Sequence, residues 1–358
     1  MRSETIDRLL RYAAQSKQLI SFAGGLPSAA TFPRELLAEA ATRSILSRDA
    51  SPLQYDWPEG RKGLRESIVE RLGARGVELC ADDVVITNGA QDGLSIILEV
   101  LAPSEVQVDA FTYAGALDLF RAHGCTPVVG RPAALRYAMP AIHNPFGFAA
   151  DERARAELLE AEVLVEDEAY ADLRFDGASP PPLLAQARER VFLLGSFSKT
   201  LSPGLRVGYV IAPPRWHEAV LAAKSGHDLQ ASGIGQAIVE QVMARSDFDE
   251  RLSGLRRFYG LRAERLQAAL STLEGVRCSR PIGGFSIWLE TDLPLGDEAF
   301  LQLAVEEGVC VDPGCLFQAV AGAPGGLAMR LSFSSVPEAE MLRGAERLAS
   351  TLLRARQR

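Results

Sequence analysis

Residues 196–206 read Ser196-Phe197-Ser198-Lys199-Thr200-Leu201-Ser202-Pro203-Gly204-Leu205-Arg206. The apolar run at 191–194 predicts a buried strand before this stretch, and the run at 207–211 predicts another strand after it. Lys199 is therefore expected in a loop between strands, where desolvation lowers the pKa of an amine until it forms a Schiff base. Ser196, Ser198 and Arg206 supply donors for a phosphate, so the stretch suits a phosphorylated aldehyde. By itself such a stretch is more often a solvated lysine in a serine-rich turn.

The composition of the 358-residue chain is that of an ordinary globular protein, with 47% hydrophobic and 23% charged residues. The net charge of −8, without a block of like charges, argues against a nucleic-acid partner. No apolar run approaches the roughly 18 residues of a membrane span, so no membrane association is expected. The five cysteines lack metal-binding spacing and are predicted to be reduced. Residues 1–4 lead directly into an amphipathic pattern, so no signal peptide is expected. A cytoplasmic protein without a metal site is the expectation.

The middle of the chain alternates between β-branched runs, at 84–87, 106–108 and 163–165, and helical patterns, at 94–101 and 116–122. This alternation predicts an α/β fold, with an open and largely parallel sheet covered by helices on both faces. From about residue 256 the pattern changes to a long helix, two strands at 285–289 and 327–333, and two more helices. We therefore predict a large domain over residues 41–255 and a smaller α+β domain from residues 1–40 and 256–358.

One candidate phosphate site follows the first of these strands, because ligands collect at the carboxyl ends of parallel strands. The run after 84–87 opens a helix and reads Asn88-Gly89-Ala90-Gln91. Backbone amides at a helix N-terminus bind phosphate, although an ordinary Asn-Gly turn is the alternative.

Three acids follow the run at 163–165, namely Glu166, Asp167 and Glu168, and Tyr170 comes just after them. A buried carboxylate at this place can keep the nitrogen of a pyridine ring protonated, which makes the ring an electron sink. A solvated acidic turn is the alternative for this feature alone.

Three further residues are candidates for binding. Asn144 lies in a turn rich in proline and glycine and can donate to a phenolic oxygen. Tyr113 can lie against a flat cofactor, or it is an aromatic residue of the core. Arg330 lies inside an apolar run, where a charge needs a partner, and a substrate carboxylate matches its fork.

Taken in order, these motifs resemble the pyridoxal-phosphate-dependent aminotransferases of fold type I, class I/II, in the aspartate aminotransferase superfamily. Within it they are most similar to the 2-aminoadipate and kynurenine aminotransferase branch. The resemblance begins at Ile20-Ser21-Phe22-Ala23-Gly24-Gly25-Leu26-Pro27, continues through Leu53-Gln54-Tyr55 and Gly60 to Leu64-Arg65, and ends near Arg330. It therefore covers nearly the whole chain.

The resemblance implies pyridoxal 5'-phosphate as the cofactor and a role for each matched residue. Lys199 forms the Schiff base, Asp167 pairs with the pyridine nitrogen and Tyr113 stacks on the ring, and these three are the predicted catalytic residues. Asn144 and Tyr170 hold the ring oxygen. The residues implied to bind the phosphate side of the cofactor are Gly89, Ala90, Gln91, Ser196, Ser198 and Arg206. Arg330, with Asn144 and Gly25, binds the substrate α-carboxylate, and Tyr55 reaches the phosphate of a partner subunit, which implies a homodimer with shared active sites.

The chain departs from the family pattern around Asn144. Phe146 stands where the family has threonine, and His143 stands where it usually has glutamine. Between residues 130 and 137 about fifteen residues are missing that family members use for a strand edge and a helix. For the pocket of the substrate side chain, Asp7, Arg8 and His143 are all candidates, and His143 can equally be an ordinary loop histidine.

The expected reaction is transfer of an amino group between an α-amino acid and a 2-oxo acid, with Lys199 moving the proton from Cα. One alternative is other carbanion chemistry on the same scaffold, such as decarboxylation, elimination, cyclisation or racemisation. Another is a cofactor-binding effector module without turnover, against which the intact Lys199 and Arg330 weigh.

Overall fold

The structure is a computed structural model that describes residues 4–16, 18–177, 179–320 and 326–357. Met1 and Arg358, the outer ends of the predicted small domain, lie outside these residues. The described α-helices are α1 (Glu4–Gln15), α2 (Arg34–Leu46), α3 (Lys62–Gly73), α4 (Ala90–Leu101), α5 (Ala114–Ala122), α6 (Glu152–Leu158), α7 (Pro214–Asp228), α8 (Gly233–Met243), α9 (Phe248–Leu270), α10 (Asp297–Glu306) and α11 (Glu338–Arg356). The described strands are β1 (Ile20–Ser21), β2 (Val84–Thr87), β3 (Glu105–Gln107), β4 (Thr126–Val128), β5 (Leu135–Ala138), β6 (Val163–Asp167), β7 (Val191–Ser196), β8 (Gly208–Ile211), β9 (Val276–Cys278), β10 (Ser286–Thr291), β11 (Val309–Cys310), β12 (Asp312–Pro313) and β13 (Leu327–Ser332).

Seven strands form the central sheet, in the order β2-β8-β7-β6-β5-β3-β4. Strand β8 is antiparallel to both of its neighbours, and the remaining neighbouring pairs are parallel. The predicted α/β fold with a mostly parallel sheet is therefore confirmed. Strands β4 and β5 lie on either side of β3, and residues 129–134 join them without a helix, at the place where the sequence is short.

The central sheet is buried on both faces, and strand β7 shows how the sequence achieves this. Val191 and Leu193 pack into one core cluster, while Phe192 and Leu194 pack into the other. All four side chains are fully buried because successive residues of a strand point to opposite faces. Burying each such side chain contributes about 1.5–3 kcal/mol, so a continuous apolar run is what a strand between two helical layers requires.

A second sheet has four antiparallel strands in the order β12-β13-β10-β9. Strands β10 and β13 correspond to the two strands predicted after residue 256. The prediction missed β9 and β12 of this sheet, and also β11, which pairs with β1 in a third, two-stranded sheet. Strands of two or three residues are too short to leave a periodic pattern. It also placed both remaining helices after the strands, whereas α10 lies between β10 and β11.

The division into domains at residue 255 stays a prediction, and helix α9 runs across that position without a break. In the part of the chain that is described, no helix is long and apolar enough to cross a membrane.

Candidate active site

A cavity of about 140 Å³ opens where strands β6 and β7 end and helix α4 begins. This is the carboxyl edge of the parallel strands, as the sequence predicted. The predicted site residues that line this cavity are Ala90, Gln91, Tyr113, Asn144, Asp167, Tyr170, Ser196, Ser198, Lys199 and Arg206. The fold thus brings together residues that are more than one hundred positions apart in the chain.

Lys199 lies three residues beyond the end of β7, in the loop before β8. Its ammonium nitrogen is 5.4 Å from the ring centroid of Tyr170 and 5.8 Å from that of Phe285. Burial among these rings, with a smaller contribution from the positive charge of Arg330, lowers the pKa of Lys199 to about 8. A lysine with an ordinary pKa near 10.4 is almost never neutral at pH 7, whereas the lowered pKa of Lys199 makes its neutral form much more frequent.

Asp167 is the last residue of β6, and the residue is 7% exposed. The Tyr137 hydroxyl donates to one carboxylate oxygen at 2.6 Å, and the Ala169 amide donates to the other at 2.9 Å. Burial raises the pKa of Asp167, and these two hydrogen bonds oppose that rise. A positively charged ligand group beside Asp167 would stabilise the carboxylate further.

The other two acids of the run point elsewhere. Glu166 accepts hydrogen bonds from the amides of Leu183 and Leu184, at 2.9 and 3.1 Å, and burial raises its pKa to about 8. Glu168 forms a two-pronged ion pair with Arg75, at 2.6 and 2.7 Å. Neither lines the cavity, so only Asp167 is available there.

The far end of the cavity is suited to an anion. The amides of the first turn of α4 open onto it, and Gly89 precedes them with a φ of 90° that favours glycine. A Cβ at Gly89 would lie 2.8 Å from a terminal nitrogen of Arg206, so the glycine lets the guanidinium approach. Arg206 itself donates to the Asn88 carbonyl at 2.7 Å. Its φ of 52° lies in the left-handed region, a strained conformation that proteins tend to keep at functional positions.

Asn144 connects the cavity to Arg330. The side-chain oxygen of Asn144 accepts a hydrogen bond from Arg330 Nη1 at 3.1 Å, and both residues are 7% exposed. Gly25 lies against the same guanidinium, since a Cβ there would be 3.1 Å from Nη2 and 3.2 Å from Nη1. The three residues predicted to bind a carboxylate therefore lie together.

Two tyrosines border the space between Lys199 and Asn144. Tyr113 precedes helix α5 and packs over Gly115, where a Cβ would come within 2.5 Å of its hydroxyl. Tyr170 meets Phe285 edge to face at 5.3 Å. Burial raises the pKa of each phenol to about 12, so both hydroxyls remain protonated donors at neutral pH.

Tyr55 and His143 lie away from the cavity, and neither Asp7 nor Arg8 lines it. Tyr55 is 78% exposed in the single chain and does not line it. His143 is 4% exposed, stacks on Phe148 at 5.0 Å and lies 3.4 Å from an Asp109 oxygen. It is therefore neither a solvated loop histidine nor a wall of the cavity.

Two residues of the site were missed by sequence reasoning. Tyr137 lies inside the apolar strand β5, where its hydroxyl needs a buried partner, and that requirement was a usable signal. Asp312 follows the apolar run 309–311 and forms an ion pair with Arg330 at 2.6 Å. A charge after such a run also requires a partner, but the sequence does not say which.

These features fit pyridoxal phosphate. The desolvated amine of Lys199 lies in the same cavity as the buried carboxylate of Asp167. At the far end of the cavity, Arg206 lies against Gly89 at the N-terminus of helix α4. Among the described residues no cluster of three or more metal-ligating side chains occurs.

Comparison with known proteins agrees with the geometry. The family model "Aminotransferase class I and II" matches residues 138–348. A 2-aminoadipate transaminase from Thermus thermophilus is 35% identical over 98% of this chain and 94% of its own length. The structure of alpha-aminoadipate aminotransferase from that organism, complexed with N-(5'-phosphopyridoxyl)-L-leucine, is 33% identical with a TM-score of 0.88, covering 99% of this chain and 96% of that one. Kynurenine aminotransferase from Pyrococcus horikoshii is 28% identical with a TM-score of 0.91, covering 99% and 95%. The resemblance predicted from the motifs is confirmed.

Proposed function

Because this chain belongs to the class I and II aminotransferase family and its cofactor is pyridoxal phosphate, we propose that the Lys199 cavity is its active site. There the enzyme moves an amino group between an α-amino acid and a 2-oxo acid. The observation that carries the proposal is the placement of one desolvated amine, Lys199, between a buried carboxylate and a buried guanidinium. This arrangement joins Asp167 of the seven-stranded sheet with Arg330 of the four-stranded sheet.

The cofactor would be held at three places. Arg206, the α4 amides, Ser196 and Ser198 take the phosphate, Asp167 pairs with the ring nitrogen, and Tyr113 lies against the ring. Asn144 and Tyr170 provide donors for the ring oxygen. When bound, pyridoxal phosphate supplies an electron sink for the negative charge that develops at Cα.

Lys199 is the proton carrier at Cα. Its neutral amine removes the proton as a general base and returns it as a general acid, which requires a pKa near the working pH. The lowered pKa of about 8 supports this role. Asp167, held in place by Tyr137 and Ala169, keeps its negative charge toward the ring nitrogen.

Arg330 binds the α-carboxylate and so fixes the Cα–H bond for attack by Lys199. A guanidinium offers parallel N–H groups that match a carboxylate, and Gly25 leaves room for the ligand beside it. With the carboxylate anchored, loss of the proton is favoured over loss of carbon dioxide.

We propose further that the enzyme is a homodimer. The support is a set of exposed apolar side chains within residues 45–57, namely Ile45, Leu46, Leu53, Tyr55 and Trp57. An exposed apolar patch of this kind marks an interaction surface. Tyr55 would then reach the phosphate site of the partner subunit. The cytoplasmic location stays a prediction, supported by the five free cysteines.

The reaction is tested by incubating the loaded protein with a panel of L-amino acids and identifying the products by mass. Transamination gives a 2-oxo acid and pyridoxamine phosphate in equal amounts, with no carbon dioxide. A product that is an amine, a racemised acid or a cyclised compound, formed while the cofactor is unchanged, contradicts the proposal.

Shared sites are tested by mixing two inactive variants, Lys199→Ala and Tyr55→Ala, after unfolding and refolding them together. A mixed dimer of the two carries one site with both Lys199 and Tyr55 intact, so activity returns to about a quarter of wild type. No recovery, with dimers present by sedimentation, would show that Tyr55 acts within its own chain or not at all.

A further inference from the structure

Arg330 already has an acidic partner inside the protein. The side chains of Asp312 and Arg330 are 7% and 9% exposed, and they lie directly opposite each other on strands β12 and β13. One oxygen of Asp312 accepts three hydrogen bonds, from Arg330 Nη2 at 2.6 Å, from Arg330 Nε at 3.1 Å and from the Gly24 amide at 2.9 Å. The pair is therefore a fixed part of the fold.

These contacts determine which part of the guanidinium faces a ligand. Asp312 occupies the Nε edge, and Asn144 occupies one N–H of Nη1. Of the five N–H groups of an arginine, one on Nη1 and one on Nη2 remain. They lie beside Gly25, where the absence of a Cβ leaves space. A carboxylate can therefore bind end-on, across the two terminal nitrogens.

The same contacts determine the charge of the site. A buried guanidinium without a counter-ion is unfavourable, and Asp312 offsets that cost when no substrate is bound. A substrate carboxylate then becomes the second anion on a single cation. Two carboxylates close together repel each other, so Asp312 opposes the binding that Arg330 promotes.

We propose that Asp312 is the positioning residue and counter-ion of Arg330, and that it sets how tightly the enzyme holds the α-carboxylate of its substrate and product. It orients the guanidinium so that only its two-nitrogen end is offered, and its negative charge keeps carboxylate affinity low, which favours release of the 2-oxo acid. This inference rests on the proposed function, in which Arg330 binds the α-carboxylate.

Two substitutions separate orientation from charge. Asp312→Asn keeps an oxygen that can accept the same three hydrogen bonds and removes the charge. Asp312→Ala removes both, leaves the Gly24 amide without its acceptor and frees the guanidinium. We expect Asp312→Asn to bind carboxylates about tenfold more tightly than wild type, since a like charge at this range is worth about that factor. Asp312→Ala should bind them more weakly than Asp312→Asn, because its guanidinium is no longer oriented.

The experiment is a calorimetric titration of the loaded protein with 3-methylbutanoate and with its uncharged amide, at constant ionic strength. The amide should bind equally to wild type and to both variants. In turnover, the KM for an amino acid should fall in Asp312→Asn with little change in kcat. Weaker carboxylate binding by Asp312→Asn, or equal binding by the Asn and Ala variants, overturns the proposal. If Asp312→Ala does not fold, the carboxylate affinity of Asp312→Asn compared with wild type is sufficient to test the proposal.

Arg330→Gln distinguishes this inference from the function on which it rests. If wild type prefers the carboxylate over the amide and Arg330→Gln loses that preference, Arg330 is the carboxylate site, and failure of Asp312→Asn to tighten binding refutes only the role of Asp312. If wild type shows no preference, the assignment of Arg330 itself is wrong.

Discussion

The two ends of the site balance their charges in opposite ways. At the lysine end, formed by Lys199, Asp167 and Tyr137, only neutral donors form hydrogen bonds with the carboxylate. Within the described chain Lys199 forms no salt bridge, and Asp167 attracts its charge only at longer range. At the arginine end, Arg330 is already paired with Asp312. At the lysine end the ligand must supply the partners of the charged groups, whereas at the arginine end the charges of Arg330 and Asp312 are already paired before a ligand binds. Substitutions should therefore affect the chemical step at the first end and binding at the second.

The largest effect is expected for Asp167→Asn at the lysine end. An amide cannot hold a ring nitrogen protonated by charge, so removal of the Cα proton should slow by about a hundredfold or more while the cofactor still binds. The rate is measured by loss of deuterium from a Cα-deuterated amino acid. Glu166→Gln is the matched control, because Glu166 is the acid next to Asp167 and its carboxylate accepts hydrogen bonds from the amides of Leu183 and Leu184. It should lower the free energy of unfolding and leave the exchange rate near wild type. Near-normal exchange in Asp167→Asn would move the role to another acid.

Arg330→Lys should instead act on binding. A lysine replaces the planar fork by a point charge, so the KM for amino acids should rise by about ten- to a hundredfold, as expected for lost charge-assisted hydrogen bonds. Arg277→Lys, an exposed arginine on the same sheet, should leave KM unchanged. If KM rises equally for an amine that lacks the carboxylate, Arg330 does not distinguish carboxylates and the contrast between the two ends fails.

Burial of the amine at the lysine end also predicts a pH dependence. An amine attacks the cofactor aldehyde only when unprotonated, and its neutral fraction grows as the pH rises toward its pKa. Capture of pyridoxal phosphate by cofactor-free protein should therefore accelerate with pH and level off above about 8, the lowered pKa of Lys199. Stopped-flow absorbance measures the rate. A midpoint near 10.4, the ordinary value, would mean that Lys199 is solvated.

The smallest effect is expected for Tyr137→Phe. It removes one hydrogen bond of 2.6 Å from Asp167 and should raise the pKa of that carboxyl further, because burial is then less well opposed. Loss of about 1 kcal/mol corresponds to a roughly fivefold slower Cα exchange. Unfolding in urea measures how far the substitution also lowers the free energy of unfolding. Equal exchange rates in the two proteins would show that Tyr137 has only a packing role.

The contrast between the two ends also explains what the sequence predicted well. Gly89 and Lys199 each follow a buried strand and Asp167 ends one, so their meeting at one sheet edge was predictable from local patterns. Asp312 and Arg330 are opposite each other only because two strands pair, and β12 has just two residues. Tyr137 was missed for a related reason, because its position beside β6 is set by how β5 pairs with β6 in the folded sheet. Tyr55 is exposed on a single chain, so its predicted role would require a partner subunit.

The central claim is that Lys199 is the amine that captures the cofactor, and borohydride reduction tests it most directly. The chain has only four lysines, at positions 17, 62, 199 and 224, so the label has few places to go. After reduction of the protein loaded with pyridoxal phosphate and digestion, mass spectrometry should find the pyridoxyl group on the peptide that contains Lys199. Lys62→Ala should label normally, and Lys199→Ala should not label at all. A pyridoxyl group on any other lysine of the wild-type protein, or none at saturating cofactor, would contradict the account.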